Sequence, residues 1–367
     1  MKEHYDYVIV GSGLFGLVWN YQAQKDGKSC LIIEKRNQIG GNIRTRNFCG
    51  IPVHMFGPHI FQTNNKKVWD FLTENCDITR YINQPLAIGP NNKLFNMPFN
   101  MNTFYEIWKT RDPKKVKDII QKEIDEANIK EPKNLEEKAI SLVGKTVYEY
   151  LIKEYSEKQW GRDCKEIPAS VINRLPMRFT FDNNYFNSIY QCMPNYNQLI
   201  DNLAKGADIV YHVDYNVNRE KWNALGDKVI YTGPIDEFFD YQFGKLDWRT
   251  VRWEDEIKET DNYQGAAVIN YTTKKYPYTR SIEHRHFYTD QSKFGNKTLV
   301  SYEYSDEYTD GKEKFYPIND EKNNELYNKY KALIDEKKFI FGGRLAEYRY
   351  YDMGNVIEKC LEVYSTQ

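Results

Sequence analysis

The strongest constraint on this chain stands at its beginning. Residues Asp6 to Val10 form a short β-branched run that feeds into Gly11-Ser12-Gly13-Leu14-Phe15-Gly16, and a helix-compatible stretch follows to Lys25. Strand, glycine turn and helix in that order make a dinucleotide cradle. Gly11 permits the tight turn, Gly13 lets a pyrophosphate approach the backbone at the helix N-terminus, and Gly16 lets helix and strand pack closely. A second strand, Cys30-Leu31-Ile32-Ile33, ends in Glu34, an acid about 20 residues past the glycines where a ribose hydroxyl needs an acceptor. Lys35 and Arg36 suggest a 2′-phosphate and hence NADP, but Glu34 would repel that phosphate. A second glycine pair, Gly40-Gly41 before Asn42, suits a larger and more buried ligand, which favours FAD.

A chain of 367 residues is too long for one core, since domains hold about 100–200 residues. From Val68 to Trp160 the apolar spacing is helical: Val116, Ile119, Ile120 and Ile124 share a face, as do Tyr148, Leu151, Ile152 and Tyr155. Asn134 and Glu137 stand at capping-box spacing. From Ile167 to Tyr304 short alternating runs such as Ala266–Tyr271 and Thr298–Tyr302 predict an antiparallel sheet. Ile209–Val213 and Val229–Thr232 resemble the first strands instead, and Phe339-Ile340-Phe341-Gly342-Gly343 is again strand then glycines, before a closing helix to Tyr364. The expected fold is α/β, a Rossmann-type FAD-binding domain built from both chain ends (1–66, 207–240 and 320–367). Into it are set a mainly helical domain (67–160) and an antiparallel-sheet substrate domain (161–206 and 241–319).

Lys plus Arg number 51 against 52 acids, with no long block of one sign, which argues against nucleic-acid or membrane-surface binding. No stretch approaches the roughly 20 apolar residues of a spanning helix, and Met1 to Asp6 shows no signal-peptide pattern, so a cytoplasmic protein without membrane insertion is expected. The six cysteines are scattered, without the close pairs that zinc or thioredoxin-like chemistry requires, so reduced thiols and no metal are expected.

Four longer segments carry a family resemblance: Gly57-Pro58-His59-Ile60-Phe61-Gln62-Thr63-Asn64-Asn65, Lys158-Gln159-Trp160-Gly161, Phe181 to Phe186, and Gly342-Gly343-Arg344-Leu345-Ala346-Glu347-Tyr348 running on to Met353. With the glycine start they make the chain similar to the bacterial UDP-galactopyranose mutases. The resemblance implies a flavoenzyme interconverting the pyranose and furanose rings of UDP-galactose, or of UDP-N-acetylgalactosamine, for surface polysaccharide. It further implies reduced FAD with N5 as nucleophile, no net redox change, and a homodimer.

By the same resemblance Arg174 and Arg280 match the arginines that hold the diphosphate, whose oxygens suit the guanidinium fork. Tyr316 and Tyr350 match its hydroxyl donors, although Phe315 replaces the first of two tyrosines common in relatives. Tyr155, Trp160 and Tyr185 match the uracil site, with Leu151 and Ile152 where relatives often carry phenylalanine. Asn83 and Asn270 match sugar contacts, and His59 falls beside flavin and sugar. The cofactor set is Gly11, Ser12, Gly13, Phe15, Gly16, Glu34, Lys35, Gly41, Asn42, His59, Ile60, Val213, Gly343, Arg344, Tyr351, Asp352 and Met353. The competing readings are an FAD-dependent oxidoreductase acting on a nucleotide sugar and a non-catalytic nucleotide-sugar binding protein, because fold alone does not settle function.

Overall fold

A computed structural model describes residues 1–172 and 177–367. Among these residues a five-stranded parallel sheet runs in the order Asp208–Val210, Cys30–Ile33, Tyr5–Val10, Gly226–Tyr231 and Phe339–Phe341. Its strands therefore come from the start, the middle and the end of the chain. Parallel strands buried on both faces need continuous apolar runs, and Ile9, Leu31, Ile32, Val229 and Ile230 supply them without exposure. The helix Leu14–Lys25 and the closing helix Met353–Tyr364 pack together on one face, with Trp19 between Phe15 and Tyr364.

The second large unit is a seven-stranded sheet in the order Tyr316–Pro317, Trp248–Lys258, Thr298–Glu307, Arg280–Glu283, Val268–Tyr271, Leu86–Ile88 and Leu94–Asn96. Neighbours are antiparallel except Val268–Tyr271 beside Leu86–Ile88. Segment 67–160 is thus helical in its bulk but also lends this sheet two short strands. Their ladder bonds satisfy backbone groups that would otherwise be orphaned at the sheet edge.

Helices Pro113–Ala127 and Leu135–Val147 enclose a separate core with Val116, Ile120, Ala139 and Val143. Asn134 caps the latter by accepting from the Glu137 N–H at 2.9 Å, but the Glu137 carboxylate reaches the Lys133 N–H at 2.7 Å and not the Asn134 N–H. The regular helix expected through Tyr148–Tyr155 is interrupted. Gly144 adopts φ +78°, and Tyr148–Ile152 form a π-turn before the helix Lys153–Trp160 resumes. Such a widened turn redirects the side chains beyond it, here Tyr155 and Trp160. No helix among the described residues is long and apolar enough to cross a membrane.

Candidate functional site

The glycine turn has the space a dinucleotide needs. Gly13 has ordinary extended backbone (φ −69°, ψ 176°), and a Cβ built on it meets nothing within 4 Å. Neither conformation nor protein packing therefore requires glycine there, and the open space leaves room for a ligand to approach the backbone. Its neighbours are constrained by the protein itself. At Gly11 (φ +92°) a Cβ would lie 2.4 Å from Thr232 Oγ1, and at Gly16 it would lie 2.4 Å from the Gly11 carbonyl. Gly41 closes on the turn, its Cβ position 2.9 Å from Gly13 Cα. Glu34 is buried at the end of its strand, accepting from the Ser12 N–H at 3.0 Å, the Ser12 hydroxyl and the Arg36 N–H at 2.8 Å. It braces the turn, and a carboxylate retains lone pairs for a ribose hydroxyl. An open backbone seat beside a carboxylate fits the ADP half of FAD.

Other residues of the expected cofactor set are placed more variously. Phe15 is buried under Gly342, where a Cβ would lie 2.1 Å from its ring, so its side chain packs the helix against the last strand. Lys35 turns outward to Asp214 at 2.9 Å, and Asn42 accepts from Arg36. Val213 donates its N–H to the Glu34 carbonyl at 3.1 Å, and Ile60 lies in the core. Arg344 donates to the carbonyls of Phe315 and Tyr351 at 3.3 and 2.8 Å and lies 4.9 Å from the Tyr350 ring centre. Gly343, at φ +89°, donates its N–H to Glu347. Asp352 caps the closing helix, accepting from the Asn355 N–H at 2.8 Å and from Gln62 at 2.7 Å, while Met353 begins that helix.

In the seven-stranded sheet, cross-strand pairing lines up a row of polar side chains. Asn270 lies opposite Arg280, Arg280 opposite Glu303, and Glu303 opposite Trp253, so their side chains share a face. Arg280 donates from Nε at 2.8 Å and from Nη2 to the almost fully buried Glu303. Burial is the largest influence and opposes the guanidinium charge, but Glu303, Tyr316 and Tyr155 together outweigh it and raise the Arg280 pKa. Asn270 spends an amide proton on the Leu86 carbonyl at 3.2 Å. Asn83 accepts from the Tyr185 N–H at 2.8 Å through its backbone carbonyl, and its buried side-chain oxygen has no partner among the described residues.

The Gly57 turn lies over this row: its Cβ position is 3.2 Å from Trp253 and 3.4 Å from Arg280 Nη2. His59 Nδ1 stands 2.6 Å from the Gly57 carbonyl, so that nitrogen carries a proton and Nε2 is left as acceptor. Burial, then Arg344, pulls the His59 pKa down to about 4, leaving the ring neutral at pH 7.

A cavity of about 710 Å³ adjoins the row and is lined by Tyr155, Trp160, Tyr185, Tyr316 and Tyr350 together with Leu151 and Ile152. Strand alternation turns Phe315 inward against Phe56 and Tyr316 toward the cavity, where it stacks on Tyr350 with centroids 6.0 Å apart. Burial, then Glu303, pushes the Tyr316 hydroxyl up to about 12, so it remains a donor at neutral pH. Arg174 lies outside the described residues. Asn83, Asn270 and Arg280 do not line the cavity itself but bound it through Tyr185 and the sheet row.

Three residues escaped the sequence reading. Glu303 was hidden because only cross-strand pairing reveals its partner. Lys158 gives Nζ bonds of 2.7, 3.1 and 2.9 Å to the carbonyls of Tyr271, Tyr276 and Tyr278, fastening the aromatic helix to the turn before Arg280, and burial lowers its pKa to about 8. Arg249 lines the cavity; the alternation Arg249, Val251, Trp253 puts it on the face of Trp253, but only pairing with the neighbouring strands shows what that face meets.

A family profile described as UDP-galactopyranose mutase matches residues 150–350, and one described as an NAD(P)-binding Rossmann-like domain matches residues 9–74. The chain is 37% identical to a probable UDP-galactopyranose mutase of Klebsiella pneumoniae over 97% of this chain and 92% of the relative. It is 34% identical to a dTDP-fucopyranose mutase of Escherichia coli over 97% and 96% of the two chains. A crystal structure of a reduced UDP-galactopyranose mutase shares the fold, with TM-score 0.72 at 12% identity, covering 98% of this chain and 95% of the other.

Proposed function

Because the chain belongs to the UDP-galactopyranose mutase family, we propose that it interconverts the pyranose and furanose forms of UDP-galactose, with FAD as cofactor and no net redox change. The observation that carries this reading is the meeting of Tyr155, Trp160, Tyr185, Tyr316 and Tyr350 on one cavity wall beside the Arg280–Glu303 pair. Rings suit a pyrimidine, and the hydroxyls and guanidinium suit a diphosphate.

The Gly11–Gly16 turn, Glu34, Gly41 and Gly343 would hold the cofactor, which when bound and reduced would supply the nucleophile for the anomeric carbon. The protein positions the sugar and stabilises the charge that leaves it. Arg280, fixed in direction by Glu303, meets the departing diphosphate, and the neutral hydroxyls of Tyr316 and Tyr350 donate to its oxygens. Arg174 is assigned to the same diphosphate. Tyr155, Trp160 and Tyr185 hold the base, Asn83 and Asn270 the sugar, and neutral His59 serves as acceptor through Nε2. We place the enzyme in the cytoplasm as a homodimer that supplies furanose donors.

The test is incubation of holoenzyme, oxidised and dithionite-reduced, with UDP-galactopyranose, UDP-N-acetylgalactosamine and dTDP-fucopyranose, followed by chromatographic identification of ring forms. UDP-galactofuranose should form only with reduced enzyme, over many turnovers per reduction. Sugar oxidation that consumes an acceptor stoichiometrically would establish the oxidoreductase reading instead. A higher rate on dTDP-fucopyranose would transfer the assignment to that nucleotide sugar.

A further inference from the structure

Arg249 is the only charged side chain among the described residues that line the cavity. It is 6% exposed and forms no ion pair with any described residue, which distinguishes it from Arg280, whose charge Glu303 already balances. Among the described residues only Nη2 is bonded, to the Gln159 carbonyl and to Ser305 Oγ, each at 3.1 Å. Nε is buried without an acceptor among the described residues.

Its placement is set by the ladder. Arg249 lies opposite both Tyr316 and Glu307 on the strand that carries Trp253 four residues later, so it shares the face of Glu303 and Arg280. It also closes the C-terminal end of the aromatic helix. A Cβ on Gly161 would lie 3.3 Å from Arg249 Nη1, so this glycine (φ +66°) both ends the helix and admits the guanidinium. The helix C-terminus offers only a partial negative charge. A guanidinium that is largely buried, with Nε lacking an acceptor among the described residues and Nη1 bonded to none of them, is costly unless an anion completes it.

We infer that Arg249 is a phosphate-binding residue of this cavity, supplying a positive charge that no carboxylate among the described residues bonds directly, although Glu307 and Asp306 lie near enough to act on it, and that captures the diphosphate of the nucleotide before Arg280 acts on its departure. This rests on the nucleotide-sugar reading above. Arg249 and Arg280 then divide the work: the ion-paired guanidinium is oriented, and the one without a direct ion pair attracts. A purely structural Arg249, serving only to close the helix, would matter equally for ligands with and without phosphate.

Calorimetric titration of oxidised holoenzyme with UDP and with uridine separates these roles, because the ratio of the two affinities cancels any loss of folded protein. In Arg249→Gln the ratio should fall about tenfold or more through weaker UDP binding, with uridine affinity kept. In Arg249→Lys, which keeps the charge but not the fork, it should fall about threefold, and this variant serves if the first does not fold. An unchanged ratio in either variant, or equal loss of UDP and uridine, overturns the inference while leaving the proposed function intact. Wild-type enzyme that binds uridine no more weakly than UDP would remove the nucleotide-diphosphate reading and the inference together.

Discussion

Under the proposed function the two sheets would hold a phosphate in opposite ways. In the parallel sheet the seat is backbone: an extended Gly13 facing open space, braced by Ser12 and Glu34 within one continuous stretch of chain. In the seven-stranded sheet the seat is made of side chains, Arg280, Glu303, Arg249 and Tyr316, aligned by register from strands up to 67 residues apart, the interval between 249 and 316. A backbone seat is specified by what is absent, and a side-chain seat by what is brought together. The first should tolerate no added volume and the second no lost function group.

The most severe test of the backbone seat is Gly13→Val. Its φ and ψ allow valine and its surroundings are empty, so the apoprotein should fold with little loss of stability while flavin content, and with it activity, falls to nearly nothing. Flavin absorbance against circular dichroism reads both. A well-folded variant carrying full flavin would move the pyrophosphate elsewhere.

Arg280→Ala tests the other seat. Removing a charged donor from the leaving diphosphate should cost about 2–4 kcal/mol, or roughly one and a half to three decades in kcat, with flavin content unchanged. Loss of flavin in this variant would mean the two seats are not separate. Glu303→Gln should lower turnover less, because the guanidinium keeps its charge and loses only its fixed direction.

The contrast also explains what could be read in the sequence. The glycine turn, Glu34 and the strand–helix alternation are local, so spacing along the chain conveys them. Glu303 and Arg249 gain meaning only when Thr298–Glu307 pairs with its neighbours on both sides, a register no periodicity states. The aromatic wall was legible only by resemblance to a family, since Tyr155 and Trp160 follow a π-turn that the helical pattern around Tyr148 did not signal. The two strands that residues 86–96 give to the sheet were missed because three-residue strands carry too little alternation to register.

A smaller effect should follow from Lys158→Met, which cuts three bonds between the aromatic helix and the Tyr271–Tyr278 turn. Arg280 and its partner remain, so KM for the nucleotide sugar should rise by about threefold to tenfold with kcat changed less, as expected when binding elements lose their mutual placement. Steady-state kinetics of the reduced enzyme decides it. An equal fall in kcat would place Lys158 nearer the chemistry than its contacts indicate.

At neutral pH the smallest effect belongs to the seam between the two regions, where the rings of His59, His54 and His284 stack with centroids 6.1 and 5.9 Å apart. Burial lowers all three pKa values: His59 to about 4, His284 to about 3, and His54 well below the ordinary 6.5. A histidine held neutral in the fold but free to protonate when unfolded stabilises the protein above pH 6.5, and that contribution is lost as pH falls toward the folded value. Denaturant unfolding should therefore show no change from pH 8 to 7, then a decline of about 1 kcal/mol per imidazole between pH 6 and 5. Carboxylates such as Asp6, whose N–H and hydroxyl bonds from Ser29 hold it to about 2, lose their share only at lower pH. A stability flat from pH 7 to 5 would mean that these imidazoles meet water or a counter-charge in the folded protein, and that the seam is open where the two seats are closed.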